Sequence, residues 1–166
     1  RASYDPLTRI FNRRKFNEFL EKEIRDSTRT RQPMSLIFFD IDHFKQINDT
    51  FGHQTGDDVL RELSSLVGSQ IRKSDIFARW GGEEFLILLC NTLIMDAMRL
   101  AEKLRKEIMG HFFPDVGSLT CSFGVTGYST CEDAESFINR ADKGLYNAKE
   151  SGRNRVVGIR PGARKD

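Results

Sequence analysis

Ile76-Phe77-Ala78-Arg79-Trp80-Gly81-Gly82-Glu83-Glu84-Phe85-Leu86-Ile87-Leu88-Leu89 is the stretch on which the fold turns. Two apolar segments, Ile76–Trp80 and Phe85–Leu89, flank the pair Gly81-Gly82. Glycines between apolar runs are a strong hairpin signal, because both accept positive φ. An antiparallel hairpin is therefore expected within the sheet. Outward from it, Met34–Phe39 is a compact apolar run that stops at Asp40. Its length favours a strand buried on both faces. Leu119–Val125 and Arg155–Ile159 read as two further strands. Apolar residues at helical spacing predict helices between them. They fall over Arg13–Arg25, around Phe44 and Ile47, from Val59 to Ile71, from Ala97 to Ile108, and from Ala134 to Ala148. Thr55 with Asp58 resembles an N-cap box for the third of these, and Gly152 stops the last. A hairpin-bearing sheet with inserted helices favours an α+β fold over a doubly wound parallel one.

At 166 residues the chain is one domain's worth and can bury a core without disulfide or metal staples. Lys and Arg number 26 against 24 Asp and Glu, a net charge of +2. A domain that held nucleic acid through phosphates would show a larger basic excess, so no nucleic-acid partner is expected. Cys90, Cys121 and Cys131 form no C-x-x-C pair, which argues against a disulfide framework or a cysteine zinc site. A reducing, cytoplasmic compartment fits. The longest apolar run, Phe85–Cys90, is too short to cross a bilayer, and Arg1–Phe11 carries no signal pattern. No membrane contact by the domain is expected. The missing initiator Met suggests a domain of a longer protein, which could itself be membrane-anchored. Pro161–Asp166 reads as a polar tail, leaving a domain over 1–160. No G-x-G-x-x-G or Walker A loop follows a strand.

Acidic residues gather where strands end. Asp40 and Asp42 follow the first apolar run, and alternation puts both on one face if the strand continues. Glu83 and Glu84 follow the glycine pair. Carboxylates at strand tips suit Mg²⁺, a hard cation that takes one or two carboxylates plus substrate phosphates. Two such ions can clamp an in-line phosphoryl displacement. Either acidic pair alone is ordinary polar capping of a strand or turn. The order along the chain says more: Asp40-Ile41-Asp42-His43-Phe44-Lys45, Ile47-Asn48-Asp49, Gly52-His53, Gly56-Asp57, then Arg79-Trp80-Gly81-Gly82-Glu83-Glu84-Phe85.

In that order the chain resembles the GGDEF-domain family, the diguanylate cyclases, with Gly81–Phe85 as the GGEEF form of the name motif. Tyr4-Asp5-Pro6-Leu7-Thr8 with Asn12-Arg13-Arg14 resembles the family's opening segment. Ala141-Asp142, Tyr146, Ala148-Lys149 and Gly152-Arg153-Asn154 resemble its closing helix and strand. The resemblance runs over nearly all of Tyr4–Gly158. It implies a central, mostly antiparallel five-stranded sheet flanked by helices, similar to nucleotide-cyclase and polymerase palms. The implied reaction joins two GTP molecules into cyclic di-GMP with release of pyrophosphate, in a homodimer.

The resemblance also implies roles. Asp40, Glu83 and the carbonyl of Ile41 would hold Mg²⁺ or Mn²⁺. Glu84 would be a further metal contact or a base for the 3′-hydroxyl. A carboxylate beside Mg²⁺ has a depressed pKa and is a poor base, which favours the metal role. Asn48 and Asp57 would read guanine, since a carboxylate accepts from N1 and N2 and an amide pairs with N3 and the amino group. Asp57 would also suit the first turn of a helix without any ligand. Lys149 and Arg153 would contact the triphosphate, although a lysine in a last helical turn is stabilised anyway. Backbone N–H groups from His43 through Phe44 to Lys45 would cradle the β- and γ-phosphates, with Gly81 and Gly82 beside them. His43, His53 and His111 receive no catalytic role.

Arg72-Lys73-Ser74-Asp75 is an R-x-x-D just upstream of Gly81. By itself it carries little. At this offset it resembles an inhibitory site where cyclic di-GMP binds, with Arg72 as a planar fork and Asp75 as a guanine acceptor. Arg99 and Lys103, one helical turn apart, align with secondary product contacts. Lys103 supplies a point charge where a fork would be more specific. The resemblance further implies an N-terminal sensor or regulatory domain in the parent protein. Two rival readings remain: a catalytically inactive receptor that binds cyclic di-GMP or GTP, and a polymerase palm or nuclease.

Overall fold

The structure, a computed structural model, describes residues 2–162. Residues 163–166 of the expected polar tail lie outside the described residues. In chain order the elements are α1 (Arg13–Thr30), β1 (Met34–Ile41), α2 (Phe44–Phe51), α3 (His53–Gly68), β2 (Ile76–Arg79), β3 (Glu84–Cys90), α4 (Ile94–Gly110), β4 (Cys121–Gly127), α5 (Ala134–Glu150) and β5 (Val156–Gly158). The five strands form one sheet in the order β2-β3-β1-β4-β5. β1 pairs antiparallel with β3 and β4, β2 pairs antiparallel with β3, and only β4–β5 is parallel. The α+β fold with a mostly antiparallel five-stranded sheet is thus the observed one.

β1 is central, and every residue of it is buried, as its apolar run predicts. Its side chains alternate between two cores. Ile37, Phe39 and Ile41 face α2, α3 and α4, whereas Leu36 and Phe38 face α1 and α5. Phe39 stacks on Phe85 at 5.2 Å and on Phe123 at 5.0 Å, its register partners on either side. Each such pair adds roughly 0.5–1.5 kcal/mol beyond its burial. The pairs fix the register one residue before Asp40, which then stands between Glu84 and Ser122. Asp40 belongs to the face covered by α1 and α5.

Three local expectations are corrected. The first is the Gly81-Gly82 turn, which is not a two-residue hairpin: Trp80 and Gly81 both donate to the Glu84 carbonyl, at 2.8 and 3.3 Å, closing a wider loop. Neither glycine has positive φ. Second, α3 starts at His53 behind Gly52, whose φ of 92° turns the chain, and no side chain caps it. Thr55 and Asp58 lie inside the helix, and Asp58 accepts from Arg61 at 2.8 Å instead of forming a capping box. Asp57 sits past the first turn accordingly. Third, α1 runs five residues beyond Arg25 to Thr30. Thr28 and Thr30 donate back to the carbonyls of Ile24 and Asp26, and Arg31 ends the helix at φ 58°.

Candidate active site

Two elements bring acidic groups to one corner of the sheet: the end of β1 and the β2–β3 turn. Asp40 is only 3% exposed. One carboxylate oxygen pairs with the Lys149 ammonium, which reaches over from the last turn of α5. The other, Oδ1, is buried without a hydrogen-bond partner. Burial pushes the Asp40 pKa up to about 6, with Lys149 opposing and Asp42 and Glu83 adding to the rise. Glu84, the first residue of β3, is also raised, by burial first, with Lys149 opposing and Asp142 and Glu83 adding. Several acidic groups share this corner, and the neighbouring cations do not offset burial.

An orphaned buried carboxylate oxygen is costly and calls for a cation. Lys149 supplies one positive charge and satisfies one oxygen. Among the described residues no three Asp, Glu, His or Cys side chains converge as a ready-made metal cage. That donor set suits an Mg²⁺ held by one or two carboxylates and completed by substrate phosphates, and it does not suit a closed zinc site.

The turn is built around Glu84. A Cβ on Gly81 would stand 2.3 Å from Glu84 Oε1, so the glycine makes room for the carboxylate. The Arg79 guanidinium donates to the Gly82 carbonyl at 2.8 and 3.1 Å and pairs with Asp5 at 3.2 Å. Asp5 in turn accepts from the N–H and hydroxyl of Thr8. Despite partial burial, these partners hold its carboxyl below the usual range. Arg13 stacks over Trp80 at 3.9 Å, on the flank of the same turn.

A second polar group lies on the α2–α3 pair. Asn48 is half-buried and its Oδ1 has no partner. A Cβ on Gly56 would stand 1.8 Å from that oxygen, so a larger residue there displaces the Asn48 side chain. Asp57 follows, half-buried. Phe44 turns its side chain into the core, and Lys45 is exposed. His43 sits at φ 58° ahead of α2, and no side chain caps the helix. Arg153 is exposed, at φ 64° in the turn after α5.

Comparison with known proteins gives one answer. The family described as "Diguanylate cyclase, GGDEF domain" matches residues 2–155. The response regulator PleD of Caulobacter vibrioides is 41% identical over 163 residues, covering 95% of this chain and 36% of PleD. The diguanylate cyclase DgcP of Pseudomonas aeruginosa is 42% identical over 159 residues, covering 94% of this chain and 24% of DgcP. The GGDEF domain of DgcB from Caulobacter crescentus, solved in complex with c-di-GMP, superposes with a TM-score of 0.91 at 34% identity, covering 95% of this chain and 96% of that one. The chain belongs to the GGDEF diguanylate cyclase family. It spans about a third of PleD and a quarter of DgcP.

In this GGDEF domain the R-x-x-D lies on the far side of the hairpin. Arg72 and Asp75 line a cavity of about 360 Å³ with Gln70, Asn91, Thr92 and Asp96. Asp75 is buried and accepts from the Arg72 backbone at 2.9 Å and from its guanidinium at 3.2 Å. The same guanidinium reaches Thr92 Oγ1 at 2.7 Å and the Cys90 carbonyl at 3.2 Å. Arg99 and Lys103 do not line this cavity. They face a neighbouring groove on α4, where Arg99 pairs with Asp96 at 2.7 Å. Among the described residues no helix is long and apolar enough to cross a membrane.

Sequence reading quoted Arg79 and Gly56 within motifs but gave neither a role, and gave Asp42 only a face. Asp42 is buried and accepts from Thr120 Oγ1 and Ser122 Oγ, both at 2.6 Å, and from the Asn154 N–H at 3.1 Å. The clue was available: Thr120 and Ser122, hydroxyl residues alternating at the start of an apolar strand, are a donor set awaiting an acceptor.

Proposed function

We propose that this domain condenses two GTP molecules into cyclic di-GMP with release of pyrophosphate. One observation carries the reading: Asp40, with an orphaned oxygen and a lysine on the other, stands in register with Glu84 beside the GGEEF turn. The family membership and the diguanylate cyclase names of relatives support it. Asp40, the Ile41 carbonyl, Glu83 and Glu84 would hold Mg²⁺ or Mn²⁺. Bound there, the ion would neutralise triphosphate charge and polarise the α-phosphorus. Lys149 moves from Asp40 to the phosphates, joined by Arg153 and by the N–H groups of His43, Phe44 and Lys45, with Gly81 and Gly82 leaving space. Asn48 and Asp57 take the guanine edge, which gives the orphaned Asn48 oxygen a donor. The protein's part is positioning and charge stabilisation, as befits phosphoryl transfer.

Each domain presents one GTP, so a second copy completes the reaction. Arg72 and Asp75, with Arg99 and Lys103 nearby, bind the product and hold the enzyme inactive. A regulatory domain in the parent protein would set how the copies meet.

The test is to incubate concentrated protein with GTP and Mg²⁺ and to separate nucleotides by chromatography. Cyclic di-GMP forms with wild type, and Glu83→Ala abolishes it while leaving the thermal melt intact. No cyclic or linear dinucleotide from wild type overturns the reading. Tight product binding without turnover would mark a receptor. Arg72→Ala weakens cyclic di-GMP binding in calorimetry and relieves inhibition at high product, and unchanged affinity counts against the inhibitory site.

A further inference from the structure

The turn between α5 and β5 is strained and held from far away in sequence. Gly152, Arg153 and Asn154 have φ of 124°, 64° and 45°. Two consecutive non-glycine residues in the left-handed region are uncommon, and for a long side chain such as Arg153 the conformation is strained. Such a conformation persists only where surrounding contacts impose it. Arg155 Nε donates locally to the Arg153 carbonyl at 3.0 Å, and the distant contact is Asp42, which takes the Asn154 N–H at 3.1 Å from 112 residues away. Thr120 and Ser122 fix the same carboxylate at 2.6 Å each, and the Asp42 N–H donates to the Thr120 carbonyl at 2.9 Å. The carboxylate is thus immobile when it grips the turn. Arg105, paired with Glu102, holds the Asn154 side chain at 3.0 Å from outside. Arg153 lies between this grip and the end of α5, where its own N–H donates to the Ala148 carbonyl at 2.9 Å.

We propose that Asp42 is a positioning residue for the triphosphate: it locks the turn that aims Arg153 and ties it to the Asp40 strand end. This rests on the reading of Arg153 as a phosphate contact. Asp42 touches no substrate. It makes the distance between Asp40 and Arg153 a property of one buried carboxylate, so that metal corner and phosphate clamp cannot drift apart.

Calorimetry with α,β-methylene-GTP and with GMP tests this. Asp42→Asn turns an acceptor toward donors, and it weakens the triphosphate analogue by about tenfold while leaving GMP within about twofold. Arg153→Ala gives a similar loss, and the double variant loses no more than either single one, because both act through the same contact. Thr120→Val keeps the side-chain shape, removes the hydroxyl that fixes the Asp42 oxygen gripping the Asn154 N–H, and reproduces the selective loss. It answers the question if Asp42→Asn does not fold. Losses of Asp42→Asn and Arg153→Ala that multiply, or equal weakening of GMP and analogue, overturn the inference alone. A wild type that binds the analogue no better than GMP overturns it together with the triphosphate reading.

Discussion

Asp40 is a destabilising residue kept where the sheet gains least from it. Its neighbours on β1 are apolar and buried, and it is buried too, with one oxygen unpaired. Its pKa in the folded chain is about 6, against an ordinary 3.8. A raised value means that the folded state binds the proton more tightly than the unfolded state. The associated stability is complete below about pH 4 and lost as pH rises through about 6. About two pKa units correspond to on the order of 2–3 kcal/mol. Asp40→Asn keeps the shape and removes the titration, while half-exposed Lys149 can turn to water. In EDTA at pH 7.5 the variant should melt several degrees above wild type, a gap that closes toward pH 4. It should also make no cyclic di-GMP. A difference in melting temperature that stays flat with pH would refute the assignment of this cost to Asp40.

Secondary elements separate what sequence could tell from what it could not. β1 was legible because an unbroken apolar run has few other uses. Its last turn of chemistry was not, since a carboxylate reads as the end of a strand, yet pairing carries through Asp40 to Ile41. The hairpin was legible from Gly81-Gly82, but for the wrong reason: Gly81 is required by the Glu84 carboxylate and not by its own φ. The start of α3 was misread because Gly52 takes the turn without a side-chain cap. The motif residues of the candidate site came from family resemblance. The groups that hold them did not, because Asp5–Arg79 and Asp42–Asn154 join residues 74 and 112 positions apart, beyond any periodicity. Gly56 belongs to this class. It exists for the α2–α3 crossing and for Asn48 beneath it. Gly56→Ala gains about 1 kcal/mol of helix propensity, but its methyl overlaps Asn48 Oδ1 and crowds Phe44. Stability should therefore change little while GMP affinity falls about tenfold, the equivalent of one lost hydrogen bond to a charged or guanine partner. Unaltered GMP binding in calorimetry would show that Asn48 does not read the base.

At the scale of the whole molecule, the balance of +2 is an average over opposed local fields. Asp40, Glu83 and Glu84 make one corner acidic, and Lys149 stands against it. Under the proposed function such a corner handles one triphosphate. The product has two identical linkages, each between the 3′-oxygen of one nucleotide and the α-phosphorus of the other. A twofold pair of domains is the arrangement that treats both alike, with the same surface used by each copy. Catalysis then depends on encounter. Below the dimer dissociation constant the rate rises with the square of protein concentration, so specific activity doubles with each doubling of enzyme and levels off once dimers saturate. Fusion to a parallel coiled coil raises the local concentration to the millimolar range and should remove the dependence, giving at nanomolar enzyme the specific activity that the free domain reaches only when concentrated. Initial rates of cyclic di-GMP formation over a hundredfold dilution series, with and without the coiled coil, decide the matter. A constant specific activity for the free domain would mean that one copy carries both nucleotides, and the twofold arrangement would fall.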